Sequence, residues 1–235
     1  MKAKNFVLLI GVGSLTVSQA SAMNMILNGN FSSGNTGFTS SYNYIAPGTP
    51  NPGDSPDPGG SDYTLWDEGT YSVGTNPNSF HASWASFGDH TTGTGNMLIV
   101  NGAASQVTVW QGTLSSTLVV GQTYQFSAWV ANLYPPPVGL GTTPTAPAQL
   151  QFSIGGGMIG GMFSAPGVGV WSVLSSTFIA GSVNPAIAVV DLETAANGND
   201  FALDDISIVA VPEPTTLALA GLGGLSALLF RRQRK

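Results

Sequence analysis

The chain of 235 residues contains no cysteine, and between Asn5 and Phe230 it contains no lysine or arginine. The first absence excludes disulfides, thiol catalysis, thiolate zinc sites and iron–sulfur clusters together. The second confines every basic residue to the ends: Lys2 and Lys4, then Arg231, Arg232, Arg234 and Lys235. All twelve acids fall between them, so the body is purely anionic and forms no Lys or Arg salt bridge of its own. Nucleic-acid binding needs a basic footprint to displace counterions from phosphates, and this body has none. Anionic lipid headgroups would repel it as well. A cation such as Ca²⁺ is the more natural partner for its carboxylates. Charged residues make up only 8% of the chain against 43% hydrophobic ones, far from the roughly 25% charge of ordinary soluble proteins.

The charged ends account for part of that imbalance. Lys2 and Lys4 precede the apolar run Phe6–Gly13, and Ala20-Ser21-Ala22 fits a small-residue cleavage site. Residues 1–22 therefore read as a secretory signal, with Ala22 as the last residue removed by signal peptidase and Met23 as the first of the mature chain. A buried N-terminal helix is the alternative reading. At the other end Val211-Pro212-Glu213-Pro214 leads into the apolar run 215–230 and then Arg231-Arg232-Gln233-Arg234-Lys235. As a helix, 16 residues at about 1.5 Å each reach about 24 Å, barely enough to cross a hydrocarbon core of roughly 30 Å with snorkelling arginines. The basic cluster would stay cytoplasmic, leaving the body outside.

Proline–glutamate–proline, hydrophobic helix and basic end, in this order over residues 211–235, resemble the PEP-CTERM sorting signal of Gram-negative bacteria that make exopolysaccharide and use exosortases. The resemblance implies recognition of Pro212, Glu213 and Pro214 by an exosortase while Arg231 and Arg232 hold the tail in the inner membrane. Removal of the helix and delivery to the cell envelope or extracellular matrix would follow. Hydropathy alone does not separate a removed span from a permanent single-span anchor.

From Met23 to Ala210 helical periodicity is missing, and short β-branched or aromatic runs alternate with Gly, Pro, Asn and Ser. Strands are expected over 96–100, 106–111, 123–131, 149–154, 171–179, 186–192 and 201–209. That makes one all-β domain, 23–210, built as a two-sheet β-sandwich of jelly-roll type. Two Pro- and Gly-rich stretches, 46–62 and 134–147, read as long loops. Alternation assigns Tyr124, Phe126, Ala128, Val130, Leu150, Phe152, Ile154, Val107 and Val109 to the core. The outward set is then Thr108, Trp110, Gln125, Ser127, Trp129, Gln149 and Gln151. Indoles that stack on sugar rings beside amides that meet hydroxyls suit polysaccharide, with Trp110, Trp129, Gln125 and Gln151 as the contacts.

Ile26-Leu27-Asn28-Gly29-Asn30-Phe31 at the start and 198–208 at the close (GNDFALDDISI), with 95–102 and 124–130 between them, are similar to the edges and inner strands of galactose-binding-like jelly rolls, which include many carbohydrate-binding modules. The resemblance implies that the first and last strands lie side by side and that an Asp near the last strand joins N-terminal carbonyls around one structural Ca²⁺. Here that Asp maps to Asp204, which shares parity with core-facing Ile206 and Ile208; Asn28, Asn30 and Asp200 are further ligands. Ser32 stands where those modules often carry Glu, which leaves strand-end capping by Asp204 and Asp205 as the alternative.

Catalytic material is thin. His81 and His90 are the only imidazoles, Asp89 precedes the second, and neither a Gly-x-Ser-x-Gly elbow nor a His-Glu-x-x-His pattern occurs. Asp67, Glu68, Asp191 and Glu193 could supply paired carboxylates, but nothing places two across a cleft. Of the tryptophans at 66, 84, 110, 129 and 171, most belong in a core, and Trp110 and Trp129 are the exceptions. The expectation is a non-enzymatic envelope or matrix protein that binds polysaccharide; a ligand-free adhesive protein and a secreted hydrolase are the alternatives.

Overall fold

The computed structural model describes residues 23–49, 64–134, 147–164, 167–195 and 198–212. The signal segment with Ala22, the tail from Glu213 through Pro214 to Arg231 and Arg232, and most of the two long loops lie outside them. Among the described residues no helix is long and apolar enough to cross a membrane.

Eleven strands form: β1 (Phe38–Thr39), β2 (Asn43–Tyr44), β3 (Thr70–Gly74), β4 (Met97–Asn101), β5 (Val107–Gly112), β6 (Thr123–Asn132), β7 (Leu150–Ile154), β8 (Gly157–Phe163), β9 (Ser172–Ile179), β10 (Ile187–Asp191) and β11 (Phe201–Ala210). All seven expected strands are present within a residue or so of their expected ends. They pack as two sheets, one ordered β1-β5-β10-β7-β8 and the other β2-β3-β4-β11-β6-β9. Alternation on β6 and β7 works as expected: Tyr124, Phe126, Ala128 and Val130 meet Leu150 and Phe152 in the core between the sheets. Phe126 and Phe152 stack with ring centroids 3.8 Å apart.

A second apolar layer covers the outer face of the six-stranded sheet, where Leu65, Phe80 and Trp84 lie over Met97, Ile99, Leu133 and Ala202. This is why β4 is buried at every position: Leu98 and Val100 enter the main core while Met97 and Ile99 enter the second. A strand buried on both faces carries no alternation signal. The same holds for β3, which was not expected, and β8 was hidden by its glycines.

The N-terminal segment joins the two sheets. The Met25 N–H donates to the Ile208 carbonyl (2.9 Å), the Leu27 N–H to the Thr113 carbonyl (2.9 Å), and the Ile206 N–H to the Gly29 carbonyl (2.9 Å). First and last segments thus lie side by side. At Gly29 the approach is so close that a Cβ would sit 2.0 Å from the Ile206 carbonyl oxygen, so only glycine passes here.

Two β-bulges overturn two expectations of facing. Between Val189 and Val190 of β10, β5 advances by two residues, from Trp110 to Thr108, and inserts Val109. A bulge puts neighbouring residues on one side of the strand, so Val109 and Trp110 are both fully buried. Trp110 is therefore a core residue near Phe126 (6.4 Å between ring centroids), not a surface contact. On β11 the register against β6 shifts between Asp204, opposite Trp129, and Ser207, opposite Ser127. Asp205 takes up the extra residue in the left-handed region at φ 45°. Parity breaks there: Ile206 and Ile208 face the main core, whereas Asp204 shares the outer face with Ala202 and Trp129.

Candidate functional site

The bulge on β11, the outward side chains of β6 and the N-terminal segment enclose a groove of about 420 Å³. Trp129, Ser127, Ser207 and Asp205 form one side, and Asn24, Asn28, Gly29 and Asn30 the other. Each wall has a local cause. Asn24 clamps the segment to β11, its amide donating to the Ile206 carbonyl (3.0 Å) and its carbonyl oxygen accepting from Ile208 N–H (3.1 Å). Asn28 closes its own turn: its amide donates to the carbonyls of Gly34 (2.9 Å) and Thr36 (2.7 Å), and its oxygen accepts from Ser33 N–H (2.9 Å). The hydroxyls of Ser127 and Ser207 lie 2.8 Å apart across the strand pair.

His90 fixes the plane of the indole. Its ring stacks on Trp129 with centroids 3.7 Å apart and an interplanar angle of 16°, while its Nδ1 meets Asp205 Oδ2 at 2.7 Å. Thr91 donates its hydroxyl to the same oxygen. The loop that carries them is held from behind by Trp171, whose indole N–H donates to the Gly88 carbonyl (3.1 Å). Within the loop, Asp89 accepts from Thr92 N–H (2.9 Å) and Gly95 N–H (2.6 Å). Burial raises the affinity of Asp89 for a proton, but these N–H bonds outweigh it and hold its carboxyl below the usual range. A second hollow of about 310 Å³, lined by Asp89, Thr91, Thr92, Thr94 and Asn96, adjoins the first through their shared Asn30.

Of the expected sugar contacts, Trp129 lines the groove and Gln125 lies exposed on the same outer face of β6. Gln151 belongs to the other sheet, where its amide donates to the Gly160 carbonyl (2.7 Å) and ties β7 to β8. Trp110 is in the core. His90, Asp205, Ser207 and Asn24 were not expected at the site; only the bulge brings Asp205 and Ser207 beside Trp129, and a bulge leaves no mark on an alternation pattern.

The four residues expected as calcium ligands take the following places. Asp200 accepts from the Trp84 indole N–H (3.0 Å) and from Gly102 N–H (3.2 Å). Asn28 is occupied with its turn, and Asn30 accepts from Ser32. Asp204 accepts from His90 N–H (2.9 Å) through Oδ2, and its buried Oδ1 has no hydrogen-bond partner. Burial, with the adjacent Asp205 charge, pushes the Asp204 carboxyl up to about 7. Among the described residues no three histidine or acidic side chains come together as a metal site.

The remaining chemistry-bearing groups are placed as follows. His81 stacks between Trp66 (4.6 Å) and Trp84 (4.8 Å). Asp191 is fully buried, accepting from the Tyr42 hydroxyl (2.9 Å) and the Asn199 amide (3.0 Å), and Glu193 accepts from the N–H groups of Thr194 and Ala195.

Comparison with curated proteins finds no match. Among solved structures the chain is similar to the Stig cyclase Fisc from Fischerella sp. TAU, at 13% identity and a TM-score of 0.52 over 83% of this chain and 100% of that one. At this identity the likeness is one of fold. The CBM22-1 xylan-binding domain of Xyn10C from Paenibacillus barcinonensis is matched at 14% identity and a TM-score of 0.44 over 83% of this chain and 100% of that one. The EclA C-terminal domain, a sugar-binding protein, is matched at 20% identity and a TM-score of 0.38 over 66% and 89%. Residues 210–235 match the PEP-CTERM protein-sorting motif, which implies processing by an exosortase and an exported protein anchored transiently in the membrane.

Proposed function

We propose that this chain is a non-enzymatic protein of the cell envelope or extracellular matrix, whose jelly-roll body binds polysaccharide in the groove beside Trp129. The observation that carries the reading is the groove's makeup. One indole, partly exposed and fixed flat by His90, stands beside the Asn30 amide and the hydroxyls of Ser127 and Ser207, in a wall that Asn24 and Asn28 shape through their own backbone bonds. Sugar rings present axial C–H groups to an aromatic face and hydroxyls to amides, so both halves of a pyranose are met at once. The PEP-CTERM motif supports the location, because an exported and released body meets polysaccharide outside the cell.

Retention on insoluble polysaccharides, followed by sedimentation of the purified chain, tests the reading. The wild type is expected in the pellet with at least one glycan, and Trp129→Ala in the supernatant. Equal retention of both proteins contradicts it.

A further inference from the structure

The groove lining has one charged residue, Asp205, and no Lys or Arg; the nearest group able to carry positive charge is His90, whose Nδ1 meets Asp205 Oδ2 behind the indole. The groove's other polar lining groups are neutral amides and hydroxyls. Neither Lys nor Arg occurs anywhere between Asn5 and Phe230 to receive a uronate or a sulfate, and such a group would lie against the Asp205 carboxylate. The β11 bulge holds Asp205 in the left-handed conformation, φ 45°, beside Trp129. Its side chain is 27% exposed, and both of its side-chain bonds, to His90 and Thr91, use Oδ2 rather than Oδ1. A carboxylate next to an aromatic ring is the pairing that receives an ammonium group, through a charge-assisted hydrogen bond on one side and the ring's negative face on the other. The adjoining hollow past Asn30 extends the track, so a chain of sugars fits better than a single one.

We infer that the groove selects polysaccharides bearing free amino groups, namely partly de-acetylated amino-sugar polymers, with Asp205 as the residue that contacts the ammonium. The inference rests on the polysaccharide reading above and narrows it. General attraction between a polycation and this anionic body is a separate effect, spread over all its acids and equally sensitive to loss of any one of them.

The experiment measures affinity of the purified chain for one soluble amino-sugar polymer in its de-acetylated form and after chemical re-acetylation, with a polyuronate of similar length alongside. Three proteins are compared: wild type, Asp205→Asn, and Asp67→Asn, which removes an exposed carboxylate that does not line the groove. Asparagine tolerates a positive φ, so the bulge is expected to survive, which an unchanged Tm verifies. Wild type and Asp67→Asn should bind the de-acetylated polymer about tenfold more tightly than the re-acetylated one, the effect of one charge-assisted contact. Asp205→Asn should lose that preference. Equal wild-type affinity for the two forms, or equal loss of preference in both variants, overturns the inference and leaves polysaccharide binding standing. Failure to bind any of the three polymers removes the underlying reading and the inference with it.

Discussion

Two tryptophans that alternation assigns to one outward set occupy opposite environments, and the difference has measurable consequences. Trp110 is fully enclosed, and its ring lies so near Gly112 that a Cβ there would be 2.0 Å away. Its indole N–H is buried without a hydrogen-bond partner, a cost that the packing of the ring against the core outweighs. Trp110→Ala should lower unfolding free energy by about 3–5 kcal/mol, as truncation of a large buried aromatic does. Trp129→Ala, at a partly exposed ring backed by His90, should cost about 1 kcal/mol. Urea midpoints of the two variants check this, and similar losses would mean that Trp129 is a core residue.

At the scale of strands, what the sequence made legible and what it concealed divide along one physical line. Strands with a solvated face, such as β6, announce themselves by alternation, and Tyr124, Phe126, Ala128 and Val130 fell where the pattern put them. Strands with two buried faces, β3 and β4, have no alternation to read, because the second apolar layer that covers them comes from loop residues with no regular period, Leu65, Phe80 and Trp84. Bulges are worse, since a single inserted residue reverses every later facing on the strand. One such insertion moved Trp110 from the outward set to the core, and another separated Asp204 from Ile206 and brought Asp205 to the groove. The N-terminal segment was legible for a different reason: Asn28-Gly29-Asn30 needs a glycine where the chain crosses β11. Gly29→Ala should cost roughly 1–3 kcal/mol through overpacking against the Ile206 carbonyl, read as a fall in Tm. An unchanged Tm would show that the crossing has room.

For the molecule as a whole, the missing lysines and arginines set the pH response. Buried acids without cationic partners are raised in the folded state: Asp191 and Asp200 to about 6 by desolvation against their hydrogen bonds, and Asp204 to about 7 by desolvation and the Asp205 charge. Each of these groups binds its proton more tightly folded than unfolded, so its contribution is complete below about pH 4 and is lost as pH rises through 6 to 7. Asp89, held low by N–H bonds, acts in the opposite sense and loses its contribution in acid. Glu68 joins the raised groups, pushed up to about 7 by desolvation and the Asp200 charge. With four raised carboxyls against one lowered among the described residues, Tm should be higher at pH 5 than at pH 7.5; the reverse order in a calorimetric scan would show that these carboxyls have charge partners in solution. The tail makes its own prediction at this scale: intact mass of the protein from its native host should lack the residues after about Pro214, and a full-length mass would mean a permanent anchor.

Isothermal titration of one soluble polysaccharide into wild type, Trp129→Ala and Gln151→Ala tests the assignment of the groove most directly, because Trp129 and Gln151 lie on opposite sheets. Binding should be abolished in Trp129→Ala and unchanged in Gln151→Ala. Loss in Gln151→Ala with Trp129→Ala unaffected would place the site on the five-stranded sheet and contradict the account.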